Sequence, residues 1–289
     1  MGREIGIQMK RVGVHVNFAP VADVNNNAAN PVINTRSFGE DRENVTQKCI
    51  AYMKGMQDEG ILACAKHFPG HGDTNVDSHY DLPIIPHNRS RLDSIELYPF
   101  QTLAKQGIAS FMVGHLNVPA LDDRPNRPST LSKSMVTGIA REQMSFDGLI
   151  FTDALEMKGV TKHFEKGQTE AEAILAGNDI LETFVDVPAA FNAIKTALDK
   201  NEITIADLDK RVKRILNAKA WAGLDRYQAI QMNDLIKDLN PVQSEVLKRQ
   251  LAEKSVTILK NSESILPLRR LDTLKIATLA IGKANYGSV

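Results

Sequence analysis

The sequence predicts an α/β fold based on a parallel sheet, of the (β/α)8 TIM-type barrel class. The first observation is that apolar runs of strand length alternate with helical patterns over residues 1–220. This alternation is typical of parallel strands joined by crossover helices. The second observation is that ionisable residues follow the strands, as at Asp23, Lys66, His115 and Asp153. Active sites of barrels lie at this carboxyl edge of the sheet, so the pattern predicts a barrel that carries a site there.

The individual elements follow from hydrophobic periodicity. Strands are predicted at residues 12–18, 61–65, 108–113, 149–152 and 179–184. Helices are predicted at residues 43–59, 92–106, 190–222 and 241–255, and residues 1–12 resemble the end of an amphipathic helix. Thr204 is a suitable helix N-cap and Gly223 a suitable helix stop. Because a closed barrel of this type needs about eight strands, we expect this barrel to lack its first strands.

Three segments are expected along the chain. Residues 1–223 form the barrel, incomplete at its N-terminus, and residues 224–268 form a helical linker. Residues 269–289 contain LKIATLAIG, which has the pattern of the first strand of a second α/β domain. The sequence ends before that second domain could bury a core, so we expect the second domain to be truncated.

Composition excludes several classes of function. The 289 residues contain 35 lysines and arginines against 35 aspartates and glutamates, so no net field attracts nucleic acid or an anionic membrane. No apolar run reaches the roughly 18 residues of a membrane-spanning helix. The two cysteines, Cys49 and Cys64, are too few for a disulfide framework. These features are typical of a globular enzyme, whose oligomeric state the sequence leaves open.

The most informative segment is 66–83, KHFPGHGDTNVDSHYDLP, which directly follows a predicted strand. Pro69 and the glycines in this segment prevent a helix and allow the chain to fold back, so that ionisable side chains converge. Asp77 and His79 are two residues apart and project to the same side of an extended segment. A carboxylate there can hold one imidazole nitrogen and leave the other free for acid/base chemistry.

Local sequence alone leaves less specific explanations open. Asp153 is also explained as a helix N-cap, because helix-favouring residues follow it. Asp77 and His79 could be solvated residues of a polar loop, and Arg36 could form a salt bridge with Glu40 or Asp41. Asp23 could bind substrate or brace Arg36, while His71 and Asp73 are expected to hold the shape of the loop.

The motifs of the chain resemble those of a known enzyme family. Segment 66–83 resembles the signature of glycoside hydrolase family 3, and its DSH triplet resembles the β-N-acetylglucosaminidase branch of that family. Four further motifs support the resemblance, which covers nearly the whole chain: NFAPVADV at 17–24, RSFGED at 36–41, FMVGHLNVPALD at 111–122 and GLIFTDALEM at 148–157.

The resemblance implies a retaining exo-β-N-acetylglucosaminidase that needs no metal or organic cofactor. It assigns Asp153 as the nucleophile, His79 as the general acid/base and Asp77 as the residue that orients His79. Substrate-binding roles fall to Arg36, Lys66, His67, His115 and Met157. The expected partner is an oligosaccharide or glycoside of an amino sugar, with no nucleic acid and no membrane span. An extracytoplasmic location is favoured over a cytoplasmic one.

Several alternatives stay open at this point. A β-glucosidase or β-xylosidase of the same family would share the barrel. A metal-dependent hydrolase could use His67, His71, Asp73, Asp77 and His79, although Pro69 and Gly70 interrupt the helical His-x-x-x-His arrangement that suits zinc. The chain could also be an inactive carbohydrate-binding fragment. Phosphorolysis could replace hydrolysis, and the natural glycan could be a peptidoglycan fragment or a chitin oligomer.

Overall fold

A computed structural model of the chain describes residues 1–78, 80–183, 186–262, 264–275 and 277. Within these ranges the sheet has five parallel strands in chain order. The α/β class is therefore confirmed, and the sheet with its helices forms part of a barrel. The strands are β1 (Val16–Asn17), β2 (Leu62–Phe68), β3 (Ser110–Val113), β4 (Leu149–Ala154) and β5 (Ile180–Glu182).

Helical segments separate the strands, as predicted from the alternation. The α-helices are α1 (Gly2–Arg11), α2 (Arg42–Gln57), α3 (Arg89–Ser94), α4 (Tyr98–Lys105), α5 (Lys158–Thr161), α6 (Gln168–Ala176), α7 (Val187–Asp199), α8 (Ile205–Trp221), α9 (Leu235–Leu239) and α10 (Val242–Ser255). A π-helix covers Ser134–Gln143, and short 3-10 turns cover Asn34–Arg36, Ser129–Leu131 and Leu224–Arg226.

Capping explains where these helices begin and end. The predicted cap at Thr204 is confirmed, because its hydroxyl accepts the amide N–H of Asp207. The Asp207 carboxylate in turn accepts the N–H of Thr204. Gly223, with φ of 83°, follows the end of α8. The single helix predicted at 92–106 is wrong, since α3 and α4 are separate. Pro99 explains the break, because a residue without an N–H fits only at the start of a new helix.

Two irregularities in the strand register lie at the carboxyl ends of the strands. Between β2 and β3, Ala65 pairs with Phe111 but Phe68 pairs with Val113, so β2 has one extra residue. Between β4 and β5, Phe151 pairs with Ile180 but Ala154 pairs with Glu182. Bulges of this kind turn individual side chains in new directions and are common beside active sites.

The sheet has an apolar layer on each face. The outer face packs on the helices around stacked and edge-on rings, including Phe68, Phe100, Phe111 and Phe146. Burying one such side chain contributes about 1.5–3 kcal/mol. The inner face carries a second cluster, which we call the inner cluster: Leu62, Cys64, Met112, Leu149 and Phe151. Because side chains alternate along strands, the next inward positions on β2 and β4 are Lys66 and Asp153.

The chain divides into a first compact unit, Met1–Asn240, and a second that begins at Pro241. Residues 224–240, predicted as the start of a linker, belong to the first unit. Arg11 of α1 holds them, since its guanidinium bonds to the Asn233 carbonyl at 2.7 Å and to the Asp238 carboxylate at 2.9 Å. The strand predicted at 274–282 falls largely outside the described residues. Among the helices that are described, none is both long and apolar enough to cross a bilayer.

Candidate active site

A buried carboxylate organises the first part of the site. Asp23 accepts the backbone N–H of His67 at 3.1 Å and that of His71 at 2.7 Å. Its Oδ2 also lies 2.8 Å from Nδ1 of His67. Burial alone would raise the pKa of Asp23, but the adjacent His67 and the bonds it donates outweigh burial and lower the pKa. Asp23 therefore braces His67, whereas the sequence alone had suggested Arg36 as the residue that it braces.

The orientation of the His67 ring follows from these contacts. With its Nδ1–H donated to Asp23, the ring presents Nε2, which lies 3.4 Å from Nη2 of Arg36. This tautomer is assigned from the hydrogen-bond network. Among the described residues, Arg36 forms no ion pair with Glu40 or Asp41. The structure thus brings Arg36 and His67 together, and their predicted roles in binding a sugar stay predictions.

Lys66 lies at the bulge of β2, beside this pair. The peptide bonds Lys66–His67 and Phe68–Pro69 are both cis. The Lys66 side chain is half-buried, and burial together with the charge of Arg36 lowers its pKa, while the Asp153 carboxylate opposes that change. Lys66 therefore supplies a hydrogen-bond donor near Asp153, and Arg36 supplies another beside His67.

Asp153 occupies the penultimate position of β4, with its Oδ1 accepting the N–H of Ala154 at 2.9 Å. Burial would raise the pKa of this carboxyl, but His67 and His115 outweigh burial and lower it. The group is therefore ionised at neutral pH. The alternative role as a helix N-cap is wrong, because α5 begins only at Lys158 and its N-cap is Met157.

His115 and Met157 lie close to Asp153 in the chain fold but are buried. Nδ1 of His115 is 2.7 Å from the Thr130 hydroxyl, and Nε2 is 2.9 Å from the Ala154 carbonyl. With both ring nitrogens engaged, His115 supports the end of β4. The predicted contacts of His115 and Met157 with substrate stay predictions, and the contacts of His115 favour a supporting role.

The loop that follows β2 is organised around His71. Its Nδ1 lies 2.8 Å from the Thr74 hydroxyl and its Nε2 lies 3.3 Å from the Ser78 hydroxyl. Burial lowers the pKa of His71 to about 4, so the ring is neutral at pH 7. At Gly72 a Cβ atom would lie 1.8 Å from the Val24 carbonyl oxygen, so any larger residue would push the loop away.

The predicted acid/base pair lies further along this loop. The backbone carbonyl of Asp77 accepts the N–H of Tyr80 at 2.9 Å and that of Asp81 at 3.1 Å, which forms a tight turn. His79 lies outside the described residues. The roles assigned to Asp77 and His79 therefore stay predictions.

The residues of the metal-site alternative have different partners. His67 bonds to Asp23, His71 to Thr74 and Ser78, and Asp73 to His87 at 2.8 Å. Where the chain is described, the ligand-type side chains close enough to hold an ion are Asp73, His87 and Glu96, within 4.8 Å of one another. The Arg91 guanidinium already bonds to both carboxylates there.

Sequence reasoning misses Glu182 at the end of β5. Ile180 packs on the inner cluster, so by alternation Glu182 faces the same space as Asp153. Burial and the Asp153 charge raise the pKa of Glu182. The strand predicted at 179–184 hid this residue within an apolar run. If the predicted strand is ended at Glu182, where β5 ends, the rule that ionisable residues lie at the carboxyl ends of strands identifies Glu182 as a site residue.

Comparison with known proteins decides the family. The family described as "Glycosyl hydrolase family 3 N terminal domain" matches residues 1–218. The chain belongs to glycosyl hydrolase family 3. The family resemblance predicted from the motifs is thereby confirmed.

Relatives of known name and structure agree with this family. The chain is 33% identical over 284 residues to "Beta-hexosaminidase A" of Pseudoalteromonas piscicida, which covers 92% of this chain and 47% of that protein. It is similar to the solved "glycoside hydrolase family 3 beta-N-acetylglucosaminidase from Paenibacillus sp. str. FPU-7", with TM-score 0.76 and 35% identity over 82% of this chain and 48% of that one. It is also similar to "Beta-glucoside phosphorylase BglX", with TM-score 0.85 and 26% identity over 92% and 51%. The chain spans about half the length of these proteins.

Proposed function

We propose that the protein is a retaining exo-β-N-acetylhexosaminidase that removes terminal β-linked N-acetylhexosamine from a glycan. The observation that carries this proposal is Asp153, an ionised carboxylate at a strand end beside Lys66 and His67. Membership of glycosyl hydrolase family 3 supports glycoside cleavage as the reaction class. The names of the relatives from Pseudoalteromonas piscicida and Paenibacillus support an amino sugar as the substrate.

In the first chemical step, a carboxylate oxygen of Asp153 attacks the anomeric carbon of the terminal sugar. The bond from this carbon to the leaving oxygen breaks, and the leaving oxygen takes a proton from His79, which Asp77 orients. The product is a glycosyl ester of Asp153. A low pKa suits the nucleophile, since the carboxylate must be ionised before it attacks.

In the second step, His79 accepts a proton from a water molecule as the water oxygen attacks the same carbon. The ester bond breaks, Asp153 leaves as a carboxylate and the sugar is released with its original anomeric configuration. A histidine suits both proton transfers, because its ordinary pKa lies near neutrality.

Arg36, Lys66 and His67 are proposed to hold the terminal sugar. The Asp23 carboxylate fixes the His67 ring through a 2.8 Å contact, so that Nε2 is presented in a constant direction. We propose that Lys66 and Arg36 donate hydrogen bonds to hydroxyls of this sugar. The grip would hold the anomeric carbon for attack by Asp153, and such positioning contributes much of the rate enhancement of an enzyme.

Phosphorolysis is the second candidate. It is favoured by the structural similarity to a protein named β-glucoside phosphorylase and by two neighbouring cationic side chains, Arg36 and Lys66, of which Lys66 lies near Asp153. Phosphate would then replace water in the second step, and the product would be a sugar 1-phosphate.

The test compares p-nitrophenol release from the β-N-acetylglucosaminide and the β-glucoside, with and without inorganic phosphate. It uses the protein in its full natural length, its Asp153→Ala variant and, as a matched control, Asp225→Ala, which removes an exposed carboxylate. We expect preference for the acetamido sugar, loss of activity in Asp153→Ala and ordinary activity in Asp225→Ala. Preference for the glucoside, or ordinary turnover by Asp153→Ala, would overturn the proposal. A sugar 1-phosphate product would establish the second candidate.

A further inference from the structure

A network of charged side chains joins the loop that follows β2 to α3 and the residues after it. We call it the loop anchor and define it by Asp73 of the loop, His87, Arg91 of α3 and Glu96. Nη2 of Arg91 lies 3.3 Å from Oδ2 of Asp73 and 3.0 Å from Oε1 of Glu96. Nε2 of His87 lies 2.8 Å from the same Oδ2 of Asp73. Two donors therefore converge on one carboxylate oxygen of the loop.

The loop anchor is itself fixed by the helices that follow the loop. The N–H of Arg91 is bonded to the side chain of Asn88, the N-cap of α3, at 3.0 Å. Glu96, only 4% exposed, lies in the break between α3 and α4. The guanidinium lies between two carboxylates and bonds to both. Arg91 thus links the loop to the outer helical layer.

The same network contacts the start of the loop. Gly70 has φ of 132°, and a Cβ atom there would lie 2.8 Å from Cβ of Glu96 and 3.1 Å from its backbone. The loop therefore packs directly on Glu96 at Gly70, and three residues later it bonds to Arg91 through Asp73. Residues 70–73 are held at both ends.

Two hydrogen bonds of His71 connect the residue after Asp73 to Ser78. Thr74 follows Asp73 directly, and its hydroxyl contacts His71 at 2.8 Å. The other nitrogen of His71 reaches Ser78, which lies between Asp77 and His79 in the sequence. The Ser78 carbonyl also accepts the N–H of Gly159 at 3.3 Å. A shift of Asp73 would thus be passed through Thr74 and His71 to Ser78.

We propose that Arg91, acting through Asp73, is a positioning residue that holds residues 70–78 of the loop, the segment that contains Asp77 and directly precedes His79 in the sequence. This inference rests on the proposed function, because it assumes that the pair donates the proton to the leaving group. Arg91 touches neither the sugar nor the reacting atoms. Replacing Arg91 should therefore slow the first chemical step, in which the leaving group takes a proton.

The experiment uses N-acetylglucosaminides with leaving groups of different acidity. A 2,4-dinitrophenolate leaves without help from an acid, whereas a p-methoxyphenolate needs a proton, for which general acid catalysis contributes about 10²–10⁴-fold. We expect Arg91→Gln to lose about 10–100-fold in kcat/KM with the poor leaving group and less than about 3-fold with the good one. His79→Ala should show the same pattern more strongly, and Arg91→Lys should recover part of the loss.

The matched control is Arg89→Gln, on the same helix, whose partner Asp93 is exposed. Arg89→Gln should leave both rates unchanged. Equal losses with both leaving groups in Arg91→Gln would overturn the inference, since they would show a general effect on the fold. A wild-type protein without β-hexosaminidase activity would overturn the proposed function instead.

A second measurement does not depend on activity. Amide hydrogen exchange at residues 71–78 should be faster in Arg91→Gln than in the wild type, with the core strands unchanged. If Arg91→Gln does not fold, Asp73→Asn takes its place in both tests, because it keeps the size of the side chain and an oxygen acceptor. Unchanged exchange in the loop of the folded variant would contradict the proposal.

Discussion

The two halves of the candidate site are held in place by different forces. Lys66, His67 and Asp153 lie at strand ends, where sheet register and the buried Asp23 carboxylate fix them. The loop half, described at residues 69–78 and 80–83, has little regular structure there and depends on polar contacts, such as those of His71 with Thr74 and Ser78. Backbone hydrogen bonds between the strands thus fix the position of the strand half. The position of the loop half depends instead on contacts between side chains that meet only after folding.

The largest effect is expected where one side chain supports the strand half. Asp23→Asn keeps the size of Asp23 but removes the carboxylate that accepts two N–H groups and holds Nδ1 of His67. We expect kcat/KM to fall about 10²-fold, since a small misplacement of a substrate-binding group costs this much. Steady-state kinetics on a β-N-acetylglucosaminide measures the loss.

The control for this variant is Asp41→Asn, because Asp41 is the N-cap of α2 and asparagine caps a helix equally well. Its activity should stay within about 2-fold of the wild type. If Asp23→Asn behaved like Asp41→Asn, the claim that Asp23 supports the strand half would fail.

A smaller effect, on stability, is expected in the loop half as the pH falls. His71 has a folded pKa of about 4, below its ordinary value of 6.5, because burial disfavours the charged ring. Between these two values the unfolded chain binds more protons than the folded one, so stability falls as pH is lowered from about 6.5 to about 4. At pH 5 the loss is about 2 kcal/mol.

Urea unfolding at several pH values tests this, with His71→Gln as the comparison. The variant should show a flatter decline over that window than the wild type. Asp23, whose pKa is also lowered, contributes in a different window, because its stabilisation is lost only below about pH 4. Parallel declines in wild type and variant between pH 6.5 and 4 would refute the role given to His71.

The smallest effect is expected at the edge of the strand half, from Glu182. Since Asp153 raises the pKa of Glu182, the Glu182 carboxylate should in turn make Asp153 harder to ionise. Glu182→Gln should therefore shift the acidic limb of the kcat/KM profile to lower pH, by less than about one unit. A pH–rate profile of both proteins measures the shift, and a shift to higher pH would show that Glu182 assists Asp153.

The same contrast explains how far the sequence could predict the molecule. The strand half was predictable, because alternation and the carboxyl-edge rule placed Lys66, His67 and Asp153 together. The bracing of His67 by Asp23 was not, because it depends on contacts between residues 44 positions apart. The link between Asp73 and Arg91 likewise depends on a contact between residues 18 positions apart, which periodicity does not show. Glu182 was missed because it lies within an apolar run.

The most direct test of the central claim is to trap the intermediate that Asp153 is proposed to form. The protein is incubated with a fluorinated N-acetylglucosaminyl fluoride, whose glycosyl ester breaks down slowly, and is then digested and analysed by mass spectrometry. We expect the sugar mass on the peptide that contains Asp153, and none in Asp153→Asn. A wild-type protein that turns over substrate but carries the label on another residue, or none at all, would contradict the account.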